Sequence, residues 1–490
     1  MSGLGERVGS AARGRTTQAR LFVLSSADRE RLSERLHEAV KRARRRGEPT
    51  LATISAPLEP EIDPTATVCA SRRPGEPWFV FEQPDRGRAA RAALGEAVAL
   101  YGEGADRFGQ VAERWRALAA RAVGAQDGDS DETGLVAVGG FSFAADGASS
   151  PHWAGYEQAS LVVPELALTR GPEGVRMTLS ALANPDDLPE QLLLRLLSRV
   201  EELHERPLPL LDPDPTGRFQ VASAMPPRHY ESAVQRATEL IGQGQIEKIV
   251  LAREVQVHAP RAYDPAAVLG VLRAEFSSCF TICVGRGEAA FVAASPELLV
   301  RREGHRVSTL ALAGSTRRSA DPAVDDHLGE RLLRDPSYRE EHAIVARRIE
   351  RVLRAHAVWV AAAPEPELVR IANIQHLATP IRAQLASPID ALGLVELIHP
   401  TPAVGGEPLS RAAPLIPALE GLDRGWYTGP VGWTDATGDG EFCVALRCAL
   451  LRGSLARCYA GNGIVGDSDP AAELAETEVK LQALLPLLSA

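Results

Sequence analysis

Apolar and polar positions along the chain follow two periods. A spacing of three to four residues marks amphipathic helices, and a spacing of two marks half-buried strands. Ile344, Val345, Ile349 and Val352 form one apolar face, part of the helical region predicted over 322–356. Further helices are predicted at 27–46 (capped by Ser26), 87–101, 104–124, 185–205, 228–243, 264–275, 386–398 and 470–488. Strands are predicted at 51–56, 66–70, 78–82, 135–144, 158–164 and 174–181. A second group covers 247–257, 279–285, 289–294, 297–302, 306–313, 428–434, 441–452 and 456–462.

Several neighbouring strands are joined by short turns such as Arg286-Gly287 and Glu303-Gly304, and strands outnumber strand–helix–strand units. This predicts an α+β protein, an α/β sandwich of large, mostly antiparallel sheets with helices outside. The segment 207–217 holds four prolines and is the best candidate boundary, dividing the chain into 25–210 and 211–490. An acidic loop is expected at 127–133. Residues 1–24 are rich in Gly, Arg and Ser and are expected to be a disordered tail.

Composition narrows the class. The chain has 490 residues, 45% hydrophobic and 24% charged, enough for a large buried core. A formal net charge of −10 argues against nucleic acid as a partner. The basic run 41–46 ends a predicted helix, where positive charge is favourable. No apolar run is long enough to span a membrane, and the first 20 residues lack an apolar signal core. A cytoplasmic protein is therefore expected. The six cysteines form no CxxC pair and sit in apolar contexts, so buried reduced thiols are expected.

Several polar residues stand in apolar company. Lys248 begins Lys-Ile-Val-Leu-Ala-Arg, where an enclosed lysine could serve as a base. An edge-strand lysine paired with Glu247 or Glu254 fits the same stretch. Glu297 follows Ser295-Pro296, and a carboxyl there could stay protonated and act as an acid. A strand-start glutamate facing water fits equally. Gly314 can turn the backbone and expose N–H groups to an anion, or form a plain turn. Glu341 lies early in a helix; Glu473, Glu476 and Lys480 share one face of another. An exposed ion-pair ladder or oxygen ligands for Mg²⁺ both fit that spacing. Arg447 lies within Phe-Cys-Val-Ala-Leu-Arg-Cys-Ala-Leu and needs a carboxylate partner from protein or ligand. His376 and His399 match no zinc spacing and read as structural.

The order of these blocks is more specific than any one of them. From about 225 to 485 the chain resembles the chorismate-utilising enzymes, and among them the isochorismate synthases. The blocks are Lys-Ile-Val-Leu-Ala-Arg (248–253), Ala-Ser-Pro-Glu-Leu (294–298), Leu-Ala-Gly-Ser-Thr-Arg-Arg (312–318) and Glu-His (341–342). They continue with His-Leu-Ala-Thr-Pro (376–380), His-Pro-Thr-Pro-Ala-Val-Gly-Gly (399–406) and Gly-Pro-Val-Gly-Trp (429–433). Ala-Leu-Arg-Cys-Ala (445–449), Gly-Asn-Gly-Ile-Val (461–465) and Glu-Leu-Ala-Glu-Thr-Glu-Val-Lys (473–480) complete the set.

The resemblance implies the anthranilate synthase component I-like fold, as one compact structural domain with a more variable part over 25–210 and a catalytic region over 211–490. It implies a Mg²⁺-dependent isomerase acting on chorismate, with a monomer as the default state. Lys248 matches the base that activates water for attack at ring C2, and Glu297 the acid that protonates the departing C4 hydroxyl. Glu341 and Glu476 match Mg²⁺ ligands, with Glu473 near the metal's waters. Arg447 and Tyr459 match groups on the enolpyruvyl carboxylate, helped by backbone around Gly461 and Gly463. Gly314, Ser315, His376, Thr379, Ala403 and Lys480 complete the implied substrate site. Ala313 before Gly314, in a block where some nitrogen-installing relatives carry lysine, favours water as nucleophile. Ala403, in a block where salicylate-forming relatives usually carry threonine, favours stopping at isochorismate over a salicylate synthase. Tyr338 departs from the pattern, standing where an acidic residue often assists the metal.

Overall fold

The computed structural model describes residues 22–124, 134–212 and 215–489. The tail expected at 1–24 lies outside these residues up to 21, and the acidic loop expected at 127–133 lies wholly outside them. Phe22 is buried, and Leu24 packs against the same cluster.

Two large sheets dominate the described residues, one of twelve strands and one of ten. Their ladders are antiparallel throughout, as the short turns implied. Both sheets draw strands from either side of the 207–217 segment. In the first, Gly75–Gln83 pairs with Phe280–Gly287; in the second, Val136–Phe141 pairs with Pro430–Asp435. Between the sheets lies a dry cluster in which Phe79, Phe81 and Phe291 of the first meet Val136, Val138 and Val431 of the second. Trp153 and Trp426, both fully buried, fill this layer, and Trp426 donates its indole N–H to Glu157 O at 2.8 Å.

Two chain segments pass from one sheet to the other side by side. Strand Ala289–Ser295 belongs to the first sheet and Leu298–Glu303 to the second. Gly440–Val444 belongs to the second and Cys448–Arg452 to the first. The two crossings hydrogen-bond to each other: Ala294 N–H donates to Arg447 O (3.1 Å) and Val444 N–H to Glu297 O (3.0 Å). Ser295 Oγ, itself buried, donates to Val444 O at 2.5 Å and accepts from Glu297 N–H at 3.2 Å. Arg447 takes φ +48°, a left-handed turn that breaks the strand expected over 441–452.

Other expectations fail for local reasons. Residues 64–71 form a helix, not a strand. Asp63 caps it by accepting from Ala66 N–H, and Pro64 sits at its first position. The Ala-rich stretch expected as a helix over 87–101 forms strands Ala89–Leu94 and Val98–Gly102, with Gly95 at φ +71° between them. Pairing with Gly75–Gln83 and Leu166–Gly171 outweighs alanine's helix preference there. The region 322–356 is split at Asp335, which caps the helix beginning at Pro336. The helix expected over 470–488 likewise ends at Leu481 and resumes as Leu485–Ser489. Strands Leu166–Gly171, Ala357–Ala362, Glu367–Ile371 and Ile374–Leu385 were not predicted. Ser25, rather than Ser26, caps the first helix.

Replacing Ser295 by Ala strands Glu297 N–H and weakens the joint between the crossings. We expect a loss of about 1–3 kcal/mol in stability by denaturant unfolding; an unchanged midpoint would show that the hydroxyl carries no load there.

Candidate active site

The two crossings open onto a cavity of about 370 Å³. Glu297 and Arg447 line it from the crossings themselves, and Gly314 and Ser315 from strand Arg306–Arg317. Glu341 enters from helix Pro336–Arg354, and Glu473, Glu476 and Lys480 from helix Pro470–Leu481. His376, Ala403, Gly461 and Gly463 complete the wall among the expected residues.

Glu297 is 2% exposed. Burial pushes its carboxyl up to about 8, against the pull of Arg447 and Lys248, so it is mostly protonated at neutral pH. Lys248 is the first residue of strand Lys248–His258 and is fully enclosed. Its Nζ lies 2.9 Å from Glu341 Oε1, close but off the line a hydrogen bond needs. Gly463 explains how the pair fits: a Cβ there would lie 2.3 Å from Glu341 Oε1 and 2.7 Å from Lys248 Cε.

Arg447 donates to His376 Nε2 at 2.7 Å, and no protein carboxylate pairs with it among the described residues. His376 Nδ1 faces Gly314 O at 3.4 Å. Burial, with Arg447 and Lys480 beside it, holds His376 far below its usual range, so the neutral ring accepts from Arg447. Gly314 sits at φ +73° where the ladder with Ile374–Leu385 slips between Ala313 and Ser315. It makes a bulge inside a strand that continues to Arg317, not the strand end expected. The bulge turns Ser315 Oγ towards Glu476, to which it donates at 2.6 Å.

Glu476 also pairs with Lys480 at 2.8 Å. Burial raises its carboxyl, but Lys480 and Ser315 outweigh that and hold it below the usual range. Glu473 behaves oppositely: burial and then Glu476 push it up to about 7, against hydrogen bonds from Ser468 and Asn462. Lys480 is fully committed, to Glu476, Gly461 O (3.1 Å) and Asn462 Oδ1 (2.8 Å).

Three expected residues do not line the cavity: Lys248 stands behind it against Glu341 and Gly463, and the other two are Thr379 and Tyr459. Thr379 lies behind the cavity, bonded at 2.7 Å to His342 Nε2, a ring that burial holds down at about 4. Tyr459 stacks in the dry layer between Trp153 and Tyr427. The ring that does line the cavity is Tyr427, followed by Thr428 at φ +62°. Both were missed; their one signal was their place just before Gly-Pro-Val-Gly-Trp. Tyr338 also lines the cavity and lies against Gly314.

No cluster of three His, Cys, Asp or Glu stands arranged as a metal site among the described residues. The donor chemistry nevertheless suits a hard divalent cation, because the wall is rich in oxygen and short of positive charge. Glu297, Asp335, Glu341, Asp467, Asp469, Glu473 and Glu476 line it against Arg447 and Lys480. Burial first and the Glu476 charge second push Glu473 up, and a cation beside the two would ease the second of these.

Residues 38–489 match the family model of the chorismate binding enzymes. The salicylate biosynthesis isochorismate synthase of Pseudomonas aeruginosa is 37% identical over 92% of this chain and 93% of its own. The solved structure of MenF, the menaquinone-specific isochorismate synthase of Escherichia coli, superposes with a TM-score of 0.75 at 26% identity, covering 92% of this chain and 99% of its own. Anthranilate synthase component I of Streptococcus pneumoniae shares the fold, with a TM-score of 0.60 at 19% identity over 88% of this chain and 91% of its own.

Gly463→Ala should fold, because its strand position carries no special backbone angle, yet displace the Glu341–Lys248 pair. Turnover is expected to fall on the order of 10²-fold, measured as initial rate at saturating substrate; a wild-type rate would show that the pair need not sit where the structure places it.

Proposed function

The chain belongs to the chorismate-binding enzyme family, and we propose that it is an isochorismate synthase that exchanges the C4 hydroxyl of chorismate for a hydroxyl at C2. The observation that carries this reading is a buried Glu297, its carboxyl pushed up by burial, lining one cavity with Arg447, while a fully enclosed Lys248 stands against Glu341 and Gly463 of the same wall. A protein that merely bound chorismate would need neither the buried acid nor the enclosed lysine.

In the proposed reaction, Lys248 takes a proton from water as the water oxygen bonds to ring C2. The two ring double bonds shift, the C4–O bond breaks, and Glu297 gives its proton to the departing hydroxyl. One water enters and one leaves, so atoms and charge balance. Arg447, which has no carboxylate partner among the described residues, is left to bind a substrate carboxylate, and neutral His376 fixes the direction of its guanidinium. Tyr427 takes the place by the substrate that the sequence reading gave to Tyr459.

The substrate is a dianion, and the wall facing it already carries more acids than bases. We propose that Glu341 and Glu476, with Glu473 beside them, hold Mg²⁺. When bound, the cation supplies the charge that lets a carboxylate settle there. Glu341 would then be shared between Lys248 and the metal. The proposed product is the compound from which menaquinone and catechol-siderophore routes both start. Among the described residues no helix is long and apolar enough to cross a membrane.

Purified protein with chorismate and Mg²⁺ should give isochorismate, and EDTA should remove the activity. Salicylate with equimolar pyruvate would move the protein to the lyase branch, and no turnover would overturn the reading. Lys248→Ala and Glu297→Gln should each lower kcat by about 10²–10⁴-fold while Mg²⁺-dependent chorismate binding survives in calorimetry. A wild-type rate in either variant would remove that residue from its role.

The pH profile gives a separate test. Glu297 works in its protonated form, which is lost as pH rises through about 8. The rate should therefore fall above that pH, approaching tenfold per unit. A rate flat to pH 10 would show that this proton is not used.

A further inference from the structure

Behind the cavity wall, out of reach of any substrate, lies a buried arginine with all its donors spent. Arg424 is 3% exposed and does not line the reaction cavity. Its guanidinium has five N–H donors and meets five acceptors. Nε donates to Glu420 Oε2 (3.0 Å), and Nη2 to Glu420 Oε1 (2.5 Å) and Val250 O (2.9 Å). Nη1 donates to Val404 O (2.8 Å) and Thr428 Oγ1 (3.3 Å). Phe143 covers the guanidinium at 4.3 Å.

The three acceptors other than Glu420 come from three separate pieces of the cavity wall. Val250, Val404 and Thr428 all line the cavity. Val250 is two residues beyond Lys248 on one strand, so both side chains point the same way. Val404 follows Ala403, and Thr428 follows Tyr427. Glu420 ties in the same strand again by accepting from Ala252 N–H at 2.7 Å, and Val250 N–H reaches Gly405 O at 2.7 Å. The Lys248 strand, the Ala403 loop and the Tyr427 turn are thus referenced to one planar group. A neutral side chain could not satisfy these acceptors, and an ammonium has three donors in the wrong geometry.

We propose that Arg424, seated by Glu420, is a positioning residue for the proposed reaction: it sets the distance between the Lys248 strand and the Ala403–Tyr427 side of the cavity. Its effect falls on the attack step rather than on substrate capture. The groups proposed to hold the substrate's charges, Arg447, Glu341 and Glu476, make no hydrogen bond or ion pair with it. The inference rests on the functional reading above.

The test compares wild type with Arg424→Ala and Arg424→Lys. Arg424→Ala is expected to lose about 10²-fold in kcat with KM within about threefold. Arg424 also lines a second cavity of about 680 Å³ on the far side of the wall. Ethylguanidinium can enter there, and it should restore part of kcat to Arg424→Ala. Should that variant not fold, Arg424→Lys must show the same division between kcat and KM. A kcat within about threefold of wild type in a cooperatively folded variant would overturn the proposal. So would a rise in KM that matches the fall in kcat, or a loss that ethylguanidinium leaves untouched. Amide hydrogen exchange at Val250 and Ala252, whose N–H groups bond to Gly405 O and Glu420, reads the clamp without turnover: faster exchange in the variants supports it, and unchanged exchange refutes it. Wild-type protein that makes no isochorismate would refute the functional reading instead, and the exchange result would still decide the clamp.

Discussion

The site depends on a topological constraint: two neighbouring strands leave one sheet together and enter the other. At that joint the regular ladder has to be interrupted, and the freed backbone groups need partners. Ser295 and the bonds between Ala294, Glu297, Val444 and Arg447 supply them. The interruption is what makes room for chemistry. Side chains on a continuous strand between two sheets would be locked in the dry layer with Phe291 and Trp426. At the crossing, Glu297 and Arg447 instead face a cavity while their backbone carbonyls stay hydrogen-bonded to the neighbouring crossing. The left-handed turn at Arg447 belongs to the same device, since it redirects the chain at the residue whose side chain must enter the cavity.

Electrostatics divide the carboxylates that this frame collects. Glu297 meets mostly apolar surroundings and keeps its proton; Glu476 meets Lys480 and Ser315 and loses it; Glu473, beside Glu476, lies between. One dry acid near an ionised carboxylate is the distribution that the proposed acid catalysis beside a cation would use. The same side-chain type is used in every role, so the differences come from position alone. Glycine at 314 and 463 contributes by absence: one admits the bulge that aims Ser315, and the other leaves the space filled by Glu341 and Lys248.

Much of this was legible in the sequence. Lys248, Glu297, Glu341, Glu476 and Arg447 stood out as polar groups in apolar or helical contexts, and all belong to the cavity or its immediate support. The antiparallel sheets were legible from short turns. What escaped detection was decided by long-range pairing. The 89–94 stretch is helix-like in composition and became a strand because Gly75–Gln83 and Leu166–Gly171 flank it. The helix at 64–71 was hidden by β-branched residues, although Asp63-Pro64 announced it. Tyr459 and Tyr427 stack on one another, and the order of residues along the chain cannot tell which ring faces the ligand. Thr379 is on a cavity-forming strand but is claimed by His342.

The buried Glu420–Arg424 pair follows the same logic at longer range. A buried ion pair is poor value for stability, because two charges lose their hydration and well-packed apolar groups can replace them at little cost. Its worth lies in direction. Apolar packing resists compression but leaves neighbouring segments free to slide by fractions of an ångström. A guanidinium with five bonds fixes each acceptor in distance and in plane. In the proposed reaction water is delivered to one ring carbon while a proton is held ready for an oxygen elsewhere on the ring, so sliding between the wall segments would carry a direct penalty in rate. A charged hub buried behind the wall, tied to carbonyls rather than to substrate, limits that sliding without adding charge to a cavity already crowded with it.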